Sequence, residues 1–310
     1  MVEKARCAVV ANPTKLSDAD AGLVRTRLAD AGYPEPLWLE TSADDPGRAM
    51  TKEALDAGVD LVLTAGGDGT VRVVAAVLAG TDVAMGIIPV GTGNLLARNL
   101  FLPLDVPGAL DVALAEAERR IDTVVLTVDG GEPDRFAVIA GTGLDAMIMD
   151  NVNDKLKKFI GPGAYFIAAT KALGRLPVPV NVTIDGKRHR RNAVVCLLAS
   201  CGQLPGDLGL VPDARPDDGL VHVYMAYPTR VSHWLKAFFR LVTRRPQKDD
   251  HVHIWTGRKV EVRLEQEDAY QLDGDVEGQG RLLVAEVDPG SLRVRAADPH
   301  RADQAPPKTV

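Results

Sequence analysis

The chain has 310 residues, 46% apolar and 25% charged, which is enough for a sizeable core and, on length, for two domains. With 42 acidic against 36 basic side chains its net charge is −6, which argues against a general nucleic-acid binder while allowing a local basic face. The three cysteines, Cys7, Cys196 and Cys201, lack metal-ligand spacing and read as buried, reduced thiols of a cytoplasmic protein.

The first apolar run, Cys7 to Ala11, is strand-sized and gives no secretory signal. It is the first of several strands that alternate with helices. "SDADAGLVRTRLADAG" has Ser17 as N-cap, Leu23, Val24 and Leu28 on one face and Gly32 at the exit. "LWLET" is a second strand, "DPGRAMTKEALDAG" a second helix and "LVLTA" a third strand. A helix over 71–80, a strand "AMGIIPV" and a short helix "NLLARNL" follow. The apolar region from Val73 to Val90 is broken by Asp82 and by glycines, so it does not read as a membrane span. Strand–helix alternation with short links predicts a Rossmann-like, doubly wound parallel sheet, which binds ligands beyond its strand carboxyl ends.

After about residue 122 the rhythm changes to strands: "RFAVIAG", "VNVTIDGKRHRRNAVVCLLAS", "LVHVYMAY", "HVHIWTGRKVEVRLE" and "RLLVAEV". Turn signals stand at Asp185-Gly186 and Thr256-Gly257. An antiparallel β-sandwich is expected, interrupted by helices near 152–174 and 230–244. The segment 232–245 sets Trp234, Leu235, Phe238, Leu241 and Val242 against Lys236, Arg240 and Arg244, a pattern that suits either a core stripe or an anionic membrane surface. Lys155, Lys157 and Lys158 read as a solvated face, and the end from 299 to 310 as a disordered tail.

Three polar loops stand at consecutive strand ends. In "TAGGDGTV", Gly66, Gly67 and Gly69 let backbone N–H groups approach an anion, and the following helix points its positive end at the same place. A tight turn with Thr70 as helix cap is the alternative. Asp68 would repel phosphate unless it holds Mg²⁺ or hydrogen-bonds a neighbouring group, so a carboxylate here points to a metal–nucleotide. "PVGTGN", with Thr92 and Asn94, and "ANPTK", with Asn12, Thr14 and Lys15, are the other two loops. All three can converge on one crevice. "GTGLDA" (141–146) fits a dinucleotide fingerprint but lacks its later acidic residue, and no P-loop pattern or H-E-x-x-H occurs.

The ordered set "GGDGT", "PVGTGN", "GTGLDA", "PDARPDDGLV" and "LDGD" resembles the diacylglycerol kinase catalytic-domain family, which includes bacterial lipid kinases and sphingosine kinases and is related to NAD kinases and phosphofructokinases. The resemblance spans Ala5 to about Ala296. It implies an ATP-binding α/β domain at 1–125, to which 286–298 returns, and a β-sandwich at 126–285 that bears the lipid site. Asn12, Pro13 and Thr14 then fall on the first nucleotide loop, and Thr41 on a second-strand contact. Gly67 to Val73 form the phosphate loop, and Thr92 lies in the next one. Asp275 takes the place of the proton acceptor. Asp218 falls on a structural Mg²⁺ site completed by carbonyls of Arg215 and Leu220, and Asp122 and Asp145 match acidic positions of a supporting network.

Three departures stand out. The first loop reads "NPTKL", without a small residue and glycine after its third position. Leu95 replaces an acidic residue after "GTGN". Asp275 replaces Glu and reaches shorter by about 1.5 Å. Without the resemblance, "DGDVEG" and "PDDG" read as turns. The reading expects an ATP- and Mg²⁺-dependent kinase acting on diacylglycerol or a related lipid, cytoplasmic or peripheral on the inner face of the membrane. No nucleic-acid partner is expected, and a homodimer is compatible. A soluble NAD-kinase-like or sugar kinase, or a non-catalytic nucleotide- or lipid-binding protein, are its rivals.

Overall fold

The computed structural model of the chain describes residues 6–143, 177–204, 208–227 and 251–297, together with Phe239 and Thr243. Asp145, the helix expected near 152–174 with Lys155, Lys157 and Lys158, the helix expected at 230–244 apart from those two residues, and the 299–310 tail lie outside the described residues. The chain divides into two compact units. One runs to Ile121 and resumes at Ser291; the other is Asp122–Gly290.

In the first unit, β1 (Cys7–Ala11), β2 (Leu37–Glu40), β3 (Leu61–Gly66) and β4 (Ala84–Pro89) alternate with α1 (Asp18–Asp30), α2 (Arg48–Asp56) and α3 (Asp68–Leu78). Helices α4 (Leu95–Asn99) and α5 (Val106–Leu114) follow. All strand pairs are parallel, in the order β2-β1-β3-β4, with Val9 opposite both Trp38 and Leu63. The chain steps outward from β1 to β2 and then back across to β3, so the switch point of the sheet lies between β1 and β3.

Ser17 caps α1 as its sequence predicts. Its Oγ accepts from Asp20 N–H at 3.1 Å and donates to the Asp20 carboxylate at 2.6 Å. Val24 and Leu28 are buried among Val9, Leu61 and Leu63, each burial contributing about 1.5–3 kcal/mol. Helix α3 begins at Asp68 rather than 71, because Gly67 is already its N-cap in extended conformation. Helix α5 has no counterpart in the sequence reading. Asp105 starts it by accepting Gly108 N–H at 2.8 Å.

The second unit holds β5 (Glu118–Val128, entering from the first unit), β6 (Asp134–Phe136), β7 (Ile139–Thr142), β8 (Val178–Ile184), β9 (Lys187–Ala193) and β10 (Val195–Ala199). Short β11 (Gln203–Leu204) and β12 (Leu208–Gly209) pair with each other. Then come β13 (Val221–Ala226), β14 (Val252–Gly257), β15 (Lys259–Leu272) and β16 (Asp275–Arg295). Pairing is antiparallel along β14-β13-β10-β7-β15-β16, with the β8–β9 hairpin on β15. Val124, Phe136, Val182, Leu198, Val223, Val262 and Leu283 form its core. The last residues of β16 belong to the first unit, where Val294 pairs parallel with Met85 of β4.

Asp185-Gly186 closes the β8–β9 hairpin with φ of 46° and 83°, the left-handed pair that a two-residue turn demands. Thr256-Gly257 is not a hairpin turn. Strand β14 pairs with β13, while β15 pairs with β7, β8 and β16, so the link joins strands that are not neighbours. Asp185 fixes that link by accepting the N–H groups of Arg258 and Lys259 at 3.1 and 2.9 Å. All three cysteines are free and buried, and burial pushes the Cys7 and Cys196 thiols up to about 12. Among the described residues no helix is long and apolar enough to cross a membrane.

Candidate active site

The loops that leave β1, β3 and β4 meet at the carboxyl ends of those strands. Asn12 N–H donates to Ala65 O at 2.8 Å and Val90 N–H to Gly66 O at 3.2 Å, so the strand pairing continues into the loops. A methyl group on Gly91 would stand 2.6 Å from Gly67 Cα, and one on Gly67 would stand 2.4 Å from Lys15 Nζ. Closeness rather than φ therefore requires glycine at 91, where the neighbour is backbone, whereas at 67 the neighbour is the far end of a lysine that can move aside. Gly67, the N-cap residue of α3, brings no side chain to cap the helix. A helix start of this kind, with its positive dipole end, is a place that favours an anion.

Asp68 makes hydrogen bonds to the next loop. Its Oδ2 accepts Asn94 N–H at 2.9 Å and its Oδ1 accepts Leu95 N–H at 2.6 Å. The carboxylate thus caps α4 and ties the β3 loop to the β4 loop. Asn94 sits in the left-handed region (φ 50°), and its amide is engaged twice with Gly91, accepting its N–H and donating to its carbonyl. Leu95, at the position without a carboxylate, is buried in the core. Thr92 is exposed on the same loop and Thr70 is buried in α3.

The first loop folds on Asn12, whose Oδ1 accepts the Thr14 N–H at 3.0 Å and the Thr14 hydroxyl at 2.7 Å. Pro13 and Thr14 are exposed beside it. Thr41 lies next to this loop through its N–H to Ala11 O at 2.9 Å and is buried. The structure therefore brings together Asn12, Pro13, Thr14, Thr41, Gly66, Gly67, Asp68, Gly69, Thr70, Thr92 and Asn94 in one unit.

Asp275 lies in the other unit. The "LDGD" stretch is a two-residue turn, with Asp273 and Gly274 at φ 48° and 97° and Leu272 opposite Asp275. Asp275 is the first residue of β16 and is exposed. Asp273, which the sequence reading passed over, is buried, and its carboxylate accepts the N–H groups of Ala137, Val138 and Ile139 at 3.1, 2.9 and 2.7 Å. Those bonds also break "RFAVIAG", expected as one strand, into β6 and β7.

Asp218 folds back on the residues around it. It accepts Arg215 N–H at 3.0 Å and Leu220 N–H at 2.9 Å, and its Oδ2 lies 2.8 Å from His222 Nε2. Burial alone would push this carboxyl up, but His222 and the two N–H groups together hold it below the usual carboxylate range. His222 is a further member that sequence reasoning missed, hidden in the alternation of "LVHVY". Asp122 is buried beside this loop, accepting Gly219 N–H at 2.7 Å and Gly290 N–H at 2.8 Å. Burial pushes its carboxyl up, aided by the charges of Asp218 and Asp217 and opposed by those N–H bonds. One carboxylate with nearby carbonyls is a hard-oxygen set of the kind Mg²⁺ accepts. Among the described residues no three His, Cys, Asp or Glu side chains group as a metal cage, so carbonyls or water would have to complete it.

Residues 6–126 match the "Diacylglycerol kinase catalytic domain" and residues 138–296 the "YegS C-terminal NAD kinase beta sandwich-like domain". A diacylglycerol kinase of Bacillus subtilis (strain 168) is 29% identical over 280 residues, covering 88% of this chain and 90% of its own. One from Mycobacterium tuberculosis (strain CDC 1551 / Oshkosh) is 31% identical over 74% of each chain. In fold, the chain is similar to a diacylglycerol kinase of Bacillus anthracis (TM-score 0.71, 21% identity, 97% of this chain and 99% of that one). It is also similar to an NAD kinase of Archaeoglobus fulgidus solved in complex with ATP (TM-score 0.52, 12% identity, 96% of each). With both halves matched in order, the chain belongs to the diacylglycerol kinase catalytic-domain family.

Proposed function

We propose that the protein is a lipid kinase that transfers the γ-phosphate of ATP to a lipid hydroxyl, with diacylglycerol as the acceptor. The observation that carries this reading is the junction of Asp68 with Asn94 and Leu95, which fixes two loops around an uncapped helix start. Such a seat suits a polyphosphate, and the names of the relatives supply the acceptor class.

In this mechanism the α3 N-terminus and the loops of Asn12 and Gly91 hold the ATP phosphates. The acceptor oxygen attacks the γ-phosphorus, the bond to the β-phosphate bridging oxygen breaks, and ADP leaves. Asp275 accepts the hydroxyl proton, a role its exposed carboxylate permits. Mg²⁺, when bound, would neutralise charge on the phosphates, and Asp218 with the Arg215 and Leu220 carbonyls would hold a structural ion. The lipid is met at a membrane surface.

Labelled-phosphate transfer from ATP into a panel of lipids, with Asp275→Asn as control, tests the reading. Label that partitions into the organic phase with diacylglycerol supports it. Label confined to aqueous nucleotide or sugar, or no transfer at all, would replace it with one of its rivals.

A further inference from the structure

Phe101 combines two features that are each unfavourable. Its backbone sits in the left-handed region at φ 57°, and its side chain is 66% exposed, the most exposed large apolar side chain among the described residues. The other non-glycine residues there with positive φ are Asn94, Asp129, Asp185 and Asp273, whose short polar side chains tolerate that conformation. A phenylalanine lacks that tolerance.

The conformation comes from the way α4 ends. Phe101 N–H donates to Arg98 O at 3.0 Å and Leu102 N–H to Ala97 O at 2.9 Å, a paired closure whose turning residue is most often glycine. Leu100 and Leu102 are buried, so the chain is pinned on both sides of Phe101 while its ring stands in solvent. Leu104, on the same loop, is 39% exposed, and Leu100 to Leu104 carry no charge. Glycine at 101 would relieve the backbone and remove the exposed ring together. The fold gains nothing from this ring, so its use lies in something the chain meets.

We propose that Phe101, with Leu104, is an apolar tip that inserts into the lipid bilayer from which the kinase takes its acceptor. The proposal rests on the kinase reading above and names the side chains that bring the enzyme to that surface. The far end of α4 is held at Asn94 and Leu95 by Asp68, which puts the tip about 10 Å along the helix from the candidate phosphate loops. Two side chains are too little area for a stable protein partner, which covers about 800 Å² on each side. A bilayer sets no such requirement. One aromatic ring leaving water for the acyl boundary is worth about a tenfold change in partition or more.

The test is sedimentation of the full chain, Phe101→Gly and Phe101→Trp with phosphatidylcholine vesicles containing diacylglycerol. Unfolding temperatures are measured alongside. Phe101→Gly should unfold at the parent's temperature or above it, yet bind vesicles about tenfold more weakly at both low and high salt. Its phosphoryl transfer to a short-chain diacylglycerol in free solution should match the parent. Phe101→Trp should keep vesicle binding and add a blue-shifted emission component that the parent does not show. Phe101→Gly that sediments with vesicles as the parent does would overturn the proposal, as would Phe101→Trp whose added emission ignores the vesicles. Self-association of the parent without lipid, lost in Phe101→Gly, would also overturn it by assigning the tip to a second copy. Vesicle binding is read without turnover, so each of these failures leaves the kinase reading standing. A parent that binds vesicles through Phe101 but transfers no phosphate would sink the kinase reading instead.

Discussion

Asp273 and Asp275 flank a single glycine, yet one is 5% exposed with three backbone N–H groups on its carboxylate and the other stands open at the start of β16. The first holds the turn in place and the second is presented by it. Asp273→Asn should therefore act on stability, because an amide in place of the carboxylate leaves at least one buried N–H without an acceptor. The expected cost is about 1–3 kcal/mol, read as a lowered midpoint in chemical unfolding.

Asp275→Asn should behave in the opposite way. Its unfolding midpoint should match the parent, while kcat falls by roughly 10² to 10⁴ with ATP affinity retained. Single-turnover phosphoryl transfer alongside nucleotide binding reads both. A parent-like transfer rate would leave Asp275 as the residue that merely follows a turn.

Asp68→Asn should damage ATP binding as well as turnover. The amide can still accept one of the two N–H groups of Asn94 and Leu95 but turns its own NH₂ toward the other. The β4 loop then loosens, and ATP affinity should fall about tenfold. Equal ATP affinity in the variant would show that the junction is dispensable.

Gly91→Ala places a methyl group 2.6 Å from Gly67 Cα, a backbone atom with no flexible end to yield, and 2.8 Å from the Asn94 side-chain Oδ1. The loops must separate, at about 1–3 kcal/mol, and the phosphate seat opens. Loss of ATP binding with little change in the second unit's unfolding is the expected pair of results.

Asp218 is held below the usual carboxylate range, so its ionised form favours the folded state. That contribution is present above the unfolded carboxyl value and is lost as pH falls through the lower folded value. Asp218→Asn should therefore destabilise clearly at neutral pH and progressively less below about pH 4, the ordinary carboxylate value. Asp122, raised by burial, carries the opposite sign: its contribution is lost as pH rises through its raised value. Unfolding curves for Asp218→Asn at pH 7 and pH 3 that show the same difference from the parent would contradict the assignment.

The parallel sheet and its three loops were legible because alternation, caps and glycines are local signals, and Ser17 and Asp185-Gly186 do in the structure what their chemistry requires. The antiparallel unit was legible only in outline. Whether Thr256-Gly257 closes a hairpin depends on which distant strand claims β15, and Asp185, far away in sequence, decides it. The same holds for the carboxylates. Asp273, Asp122 and the Asp218–His222 pair take their partners from far along the chain or from across a turn, and no spacing rule announces a backbone N–H as the partner. For Asp68 the sequence named no neighbour, and the geometry supplies Asn94 N–H and Leu95 N–H.

The first unit is interrupted in sequence by the whole of Asp122–Gly290 and recovers its last strand only at Ser291. During synthesis, β4 therefore waits with one side uncovered while the entire second unit is made, because Val294, which pairs with Met85, is almost the last described part of the chain to emerge. Gly80 N–H likewise waits for Ser291 O. The first unit's sheet is thus completed by a segment that follows the whole second unit, so a ribosome that stalls in the second unit releases a protein with an unpaired sheet edge, a form exposed to aggregation and proteolysis.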